Sequence, residues 1–176
     1  MPERVAIIGT ESTGKSALAA ALADHFRESW AAEYVRTFWD QRGGIIQPAD
    51  LPTIARGQVA NEEGAAARAE RVVFCDTDLL TNVFWADELY GGAIPKWMRA
   101  AAHERSARYA LYLWCEPDLP WEYDPQRCFA DPATWQASAR RCRAAYAAVV
   151  PPVVTISGVG QVRLARAIAA VEQVLG

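Results

Sequence analysis

The segment Gly9-Thr10-Glu11-Ser12-Thr13-Gly14-Lys15-Ser16 constrains this chain more than any other feature. It follows directly on the apolar run Val5 to Ile8, and it opens a stretch in which Leu18, Ala21, Leu22 and Phe26 share one helix face. A strand, a Gly-x-x-x-x-Gly-Lys-Ser turn and a helix together make a phosphate cradle, the P-loop. The glycines let backbone N–H groups turn inward around phosphate oxygens, and the helix N-terminus adds its partial positive charge. Gly9, Glu11, Ser12, Thr13, Gly14, Lys15, Ser16 and Ala17 are expected to line the cradle. Lys15 then reaches the β- and γ-phosphates of ATP, and Ser16 offers its hydroxyl to Mg2+.

Further short apolar runs, Val72 to Cys75, Leu111 to Cys115 and Val153 to Ile156, are bounded by polar or turn residues, and Ala31 to Val35 is a weaker candidate. Strands apolar on both faces belong to a parallel sheet covered by helices. Between them run helical stripes, Trp135-Ala139-Cys142-Tyr146-Val149 and Leu164-Ile168-Val171-Leu175. Pro52 and Pro95 suit first-turn helix positions, with Asp50 a cap for the former. The alternation predicts an α/β domain, a doubly wound parallel sheet flanked by helices, as in the P-loop NTPase and kinase fold. At 176 residues, 52% hydrophobic, the chain is expected to form a single domain over 1–176. Its ligands belong at the carboxyl ends of the strands.

The net charge is −3, and Lys and Arg are scattered without a run that could track a nucleic-acid backbone. Cys75, Cys115, Cys128 and Cys142 show no CxxC spacing, which suits a reducing compartment. Only the short run before Gly9 is apolar at the N-terminus, too little for a secretory leader, and Pro151-Pro152 interrupts the stretch from 144 to 156. A cytoplasmic protein acting on a small molecule is expected, with neither nucleic acid nor membrane as partner.

The run Val72 to Cys75 ends in Asp76-Thr77-Asp78. Asp76 suits the metal shell, directly or through water. Asp78 either contacts substrate or, like Thr77, caps the helix beginning near Leu79. Glu33 and Arg36 either meet an acceptor molecule, Glu33 orienting or deprotonating its hydroxyl, or form a surface ion pair. The loop Pro117 to Arg127 carries three prolines with aromatic and charged residues; a lid over about 118–132 would exclude water, with Arg127 over the transferring group. Trp30, Trp39, Trp85 and Trp97 are either flat surfaces for an aromatic ring or core residues, and His25 and His103 are expected on helix surfaces.

Taken together, the P-loop, Glu33-Tyr34-x-Arg36, Asp76-Thr77-Asp78, Pro120-Trp121-x-x-Asp124-x-x-Arg127 and the late Arg163 resemble the ribosylnicotinamide kinase domain of NadR-type proteins, in order and over nearly the whole chain. The resemblance implies transfer of the ATP γ-phosphoryl group to the 5′-hydroxyl of nicotinamide riboside. It further implies that Glu33, Arg36 and Asp76 line the active site, that Arg127 lies on the lid, and that this is a kinase domain standing alone; Tyr34 and Asp78 are expected with Glu33, Arg36 and Asp76 as substrate contacts, and Lys15, Asp76, Glu33 and Arg127 are expected to serve catalysis. The pattern departs at Ala32, where the family often has an aromatic, at Arg56-Gly57-Gln58-Val59, where it has a Gly-His-Ala-Gln-Tyr-like segment, and at Pro125 in place of a lid glycine. A P-loop ATPase acting as a switch or binding module is the alternative; a GTPase switch is disfavoured because no guanine-reading Asn/Thr-Lys-x-Asp segment is present.

Overall fold

The computed structural model describes residues 1–120, 128–129 and 131–176. Strand β1 (Glu3–Ile8) leads through the P-loop into helix α1 (Lys15–Phe26). A two-residue strand β2 (Trp30–Ala31) is followed by α2 (Tyr34–Gln41), a 3-10 turn (Pro48–Asp50) and α3 (Leu51–Ala66). Then come β3 (Val72–Asp76), α4 (Leu79–Tyr90), α5 (Lys96–Ser106), β4 (Leu111–Cys115), α6 (Pro132–Ala145), β5 (Val153–Ile156) and α7 (Gly160–Leu175).

Among the described residues the strands form one parallel sheet in the order β2-β3-β1-β4-β5. The period-two alternation of β1 divides the core. Val5 and Ile7 pack with Leu18 and Leu22 of α1 and Val171 of α7 on one face. Ala6 and Ile8 meet Phe84 of α4 and Cys142 of α6 on the other. A third cluster, including Leu51, Leu79, Met98 and Ala102, joins α3, α4 and α5. Each central strand is thus buried on both faces, which is why β1, β3 and β4 carry unbroken apolar runs.

Several expectations are corrected. The weak strand at 31–35 is shorter and displaced: β2 pairs only at Trp30 with Phe74 and Ala31 with Cys75, and Tyr34 already starts α2. Glu33, extended at φ −62°, ψ 115°, ends the strand direction, and Tyr34 and Phe38 then lie one helical turn apart as a tilted ring pair with centroids at 6.4 Å. Asp50 does not cap α3 through its side chain; its carboxylate accepts the Gln47 N–H at 2.9 Å and closes the 3-10 turn. Pro52 lies in the first turn of α3 as expected, whereas Pro95 stands one residue before α5. The stripe through Val149 outruns its helix, because α6 ends at Ala145 and Tyr146 closes it.

The cysteines are free, Cys75, Cys115 and Cys142 being buried and Cys128 exposed. His25 and His103 are exposed on α1 and α5. Trp30 packs at the margin of one core cluster and Trp85 at that of another, while Trp97 lies under the Arg56 guanidinium at 4.9 Å. No helix among the described residues is long and apolar enough to cross a membrane.

Candidate active site

The carboxyl ends of β2, β3, β1 and β4 lie side by side. Ile7 pairs with Asp76, Ile8 with Trp114, and Gly9 follows β1 at once. Gly9 takes φ 147°, and a Cβ there would come within 2.9 Å of both the Cys115 carbonyl and the Thr13 hydroxyl, so only glycine fits. Ser12 and Gly14 are left-handed at φ 64° and 76°, which folds the loop into a concavity ahead of α1. The Thr10 carbonyl accepts both the Thr13 hydroxyl at 2.9 Å and Lys15 Nζ at 2.8 Å. Lys15 is thereby laid back across the cradle, with 7% of its surface exposed. Its ammonium leans on a neutral carbonyl, a weak partner for a buried charge and one that an anion would displace.

Asp76 ends β3 beside this lysine. It is 1% exposed, and its Oδ1 has no hydrogen-bond partner among the described residues. Burial is the main cause that raises its carboxyl to about 6, and the Glu33 carboxylate adds to the rise; Lys15, a hydrogen bond from Ser16 and the Arg36 guanidinium pull the other way. Lys15, Ser16, Glu33, Arg36 and Asp76 therefore act on one another across one small region. A serine hydroxyl next to a carboxylate with a free, buried oxygen is an oxygen donor pair that suits Mg2+, which takes one or two protein ligands and completes its shell with phosphates and water. Glu33 and Arg36 form the ion pair that was one of their two readings, Nε to Oε2 at 3.1 Å, with Glu33 largely covered and Arg36 largely exposed. That pairing leaves both within electrostatic reach of Asp76.

Asp78 is spent otherwise. One oxygen of its buried carboxylate caps α4 through the Thr81 N–H at 2.9 Å and accepts the Thr81 hydroxyl at 3.0 Å and the Tyr146 hydroxyl at 2.6 Å; the other accepts Tyr112 at 3.1 Å. Of its two sequence readings, the cap is the one whose contacts the structure contains, and the side chain is buried among these partners. Thr77, between the two aspartates, is left-handed at φ 67° and donates its N–H to Ile7, which separates the directions of Asp76 and Asp78. Arg127 and most of the lid segment lie outside the described residues.

Residues 4–163 match a family described as AAA domain. The chain belongs to this AAA-domain family. The AAA-domain chain is also 34% identical over 127 residues to the trifunctional NAD biosynthesis/regulator protein NadR of Escherichia coli (strain K12). That match takes in 70% of this chain and 30% of the relative, so the chain spans less than a third of the curated relative it matches. A crystal structure of NadR protein in complex with NR superposes with a TM-score of 0.81 at 22% identity, covering 99% of this chain and 52% of that one. A second, of NadR protein in complex with NAD and AMP-PNP, gives 0.75 at 21% identity over 99% and 50%. The expected P-loop kinase fold is the fold this AAA domain has.

Three contributors to the AAA-domain site carry no local sequence signal for what they do. Glu11, expected to line the cradle, turns its carboxylate away to accept the N–H groups of Cys128 and Phe129 at 2.9 and 3.1 Å, while its carbonyl accepts the Trp135 indole N–H at 2.7 Å. The P-loop thus holds residues 128–129, within the expected lid, and a negative charge that would repel phosphate is kept aside. Gln58 of α3, wholly buried, accepts the Tyr34 N–H and donates to Glu62 and the Asp76 carbonyl. Arg163 of α7 reaches the Thr13 carbonyl at 3.0 Å, the Glu116 carbonyl at 2.8 Å, the Gly158 carbonyl at 2.8 Å and the Asp118 carboxylate at 2.8 Å.

Arg163 was singled out in the sequence only by resemblance, and its bonds give the physical reason for it. By taking the Thr13 carbonyl, it holds that peptide so that its oxygen faces away from an incoming anion. Arg163→Met is expected to leave those acceptors unpaired, to lower unfolding stability by about 3 kcal/mol, and to weaken binding of an ATP analogue. Urea unfolding and calorimetry check both, and a variant with parental values on both would contradict the role.

Proposed function

We propose that the protein is a phosphotransferase that moves the γ-phosphoryl group of ATP, with Mg2+, to the 5′-hydroxyl of nicotinamide riboside. The observation that carries this reading is the convergence of Lys15, Ser16, Asp76 and Glu33 at adjacent strand ends. A cradle for a triphosphate and a carboxylate pair for an acceptor hydroxyl lie within interaction distance of each other. A pure binding module needs only the first.

In this reading the P-loop amides and the N-terminus of α1 hold the β- and γ-phosphates, and Lys15 leaves the Thr10 carbonyl to neutralise charge developing on the transferring group. Ser16 and Asp76 hold Mg2+, which supplies electrostatic stabilisation of the phosphate oxygens when bound. Glu33 accepts a hydrogen bond from the acceptor hydroxyl and orients it in line; Arg36 steadies Glu33. The acceptor identity is supported by the likeness to NadR, which has been crystallised with NR, and the donor by the NadR complex with AMP-PNP. The same reading puts Arg127 over the γ-phosphate as an arginine supplied by the lid.

A coupled assay of ADP release tests it. With ATP and Mg2+ alone, turnover is expected to be slow; addition of nicotinamide riboside should raise it by at least about a hundredfold, since the acceptor completes the near-attack arrangement. Equal ADP release with and without every nucleoside tried would remove the kinase reading in favour of a switch ATPase.

A further inference from the structure

Tyr34 follows Glu33 and occupies the first position of α2, where a helix leaves N–H groups without intrahelical partners. Its N–H donates to Gln58 Oε1 at 3.0 Å. The other end of the same amide donates to the Asp76 carbonyl at 3.4 Å and to Glu62 Oε1 at 3.3 Å. Gln58 is 0% exposed, so its amide has no water to fall back on, and reversing it would set N–H against N–H and oxygen against two acceptors. Glu62, also fully buried, is held in turn by Arg105 and Tyr109, each at 2.9 Å. The amide is therefore fixed from both sides.

The residue before it completes the seat. A Cβ at Gly57 would lie 2.2 to 2.4 Å from carbons Cε1, Cδ1 and Cζ of the Tyr34 ring. The ring thus rests directly on the backbone of α3, in space that any other residue would fill. Glycine inside a helix is otherwise unfavourable, and the Gly57 backbone itself is not left-handed.

We infer that the Gly57–Gln58 pair of α3 is the positioning element of the acceptor side: Gly57 admits the Tyr34 ring, Gln58 ties the Tyr34 backbone to the end of β3, and together they set Glu33 against Asp76. The inference rests on the kinase reading above. Neither residue is part of the triphosphate cradle, so their effect belongs to the acceptor and not to ATP. Tyr34, presented at a fixed height above α3, is then the surface that selects the acceptor.

The test is steady-state kinetics of the whole chain with ATP, Mg2+ and nicotinamide riboside. Gly57→Ala is expected to raise the KM for nicotinamide riboside by about tenfold or more, because small misplacements of a positioned group have large effects, while the KM for ATP and the Kd of a non-hydrolysable ATP analogue stay within about twofold. In a Tyr34→Ala background the same substitution is expected to add nothing, since no ring remains to displace. Gln58→Met, close in size but unable to grip either partner, should lower kcat and raise the acceptor KM together. It supplies the same readout if Gly57→Ala does not fold. Parental acceptor kinetics in these variants, equal losses for ATP and acceptor, or a Gly57→Ala penalty that persists without the Tyr34 ring would each overturn the inference. No turnover by the parent protein with any acceptor removes the kinase reading, and this inference with it; normal parental turnover with indifferent variants removes the inference alone.

Discussion

Lys15→Ala is expected to lower kcat by about three orders of magnitude while the thermal midpoint without nucleotide changes little. Both halves follow from where the ammonium lies. Lys15 is nearly covered, and its hydrogen bond runs to a neutral carbonyl, Thr10, with no ion pair to a carboxylate among the described residues. Burying a charge against so weak a partner offsets what its attraction to the Asp76 carboxylate gains, so its removal costs the free protein little. The same charge stands near Asp76, and the proposed reading puts it where phosphate charge grows during transfer. Single-turnover kinetics and a melting curve read the two effects separately. A variant within about tenfold of parental kcat would contradict the assignment of Lys15 to the γ-phosphate.

Asp76→Asn should abolish most turnover, by about two to three orders of magnitude, and should stabilise the free protein at neutral pH. The sign follows from its titration. Burial, with Glu33 beside it, raises the Asp76 carboxyl from the ordinary 3.8 to about 6, so the fold favours the protonated form. The associated stability is fully present below 3.8 and is lost as pH rises through about 6. At about 1.4 kcal/mol per unit, the ionised carboxylate costs the free protein about 3 kcal/mol at pH 7, a cost that asparagine avoids. Melting in a chelator without nucleotide should therefore show the variant ahead by several degrees at pH 7, the gap closing between pH 6 and 4. A variant less stable than its parent at pH 7 would contradict the picture of a carboxylate held strained for a cation.

The central strands were readable because two-sided burial keeps Val5–Ile8, Val72–Cys75 and Leu111–Cys115 free of charged residues. The edge was harder. β2 is held by two pairings, and the turn into α2 is set by the Tyr34 N–H reaching Gln58, 24 residues on, which no local pattern announces. The cradle was legible because its chemistry sits in consecutive residues whose glycines are demanded by backbone geometry, as the crowding at Gly9 illustrates. Glu11 is the instructive exception, since a side chain within the motif serves the segment at 128–129 and not the phosphate. Asp76 and Asp78 look alike in sequence, and the left-handed Thr77 between them sends one to the cleft and the other into a buried hydroxyl cluster with Tyr112 and Tyr146. Arg163 acts on Thr13 across 150 residues, so its physical role emerges only when α7 is folded against the P-loop.

The most direct trial of the account is phosphorus NMR and mass spectrometry of nicotinamide riboside after incubation with the protein, ATP and Mg2+. The account predicts a single new phosphomonoester on the 5′-oxygen, formed in step with ADP and absent from the Lys15→Ala reaction. Unmodified riboside alongside continuing release of inorganic phosphate would contradict it.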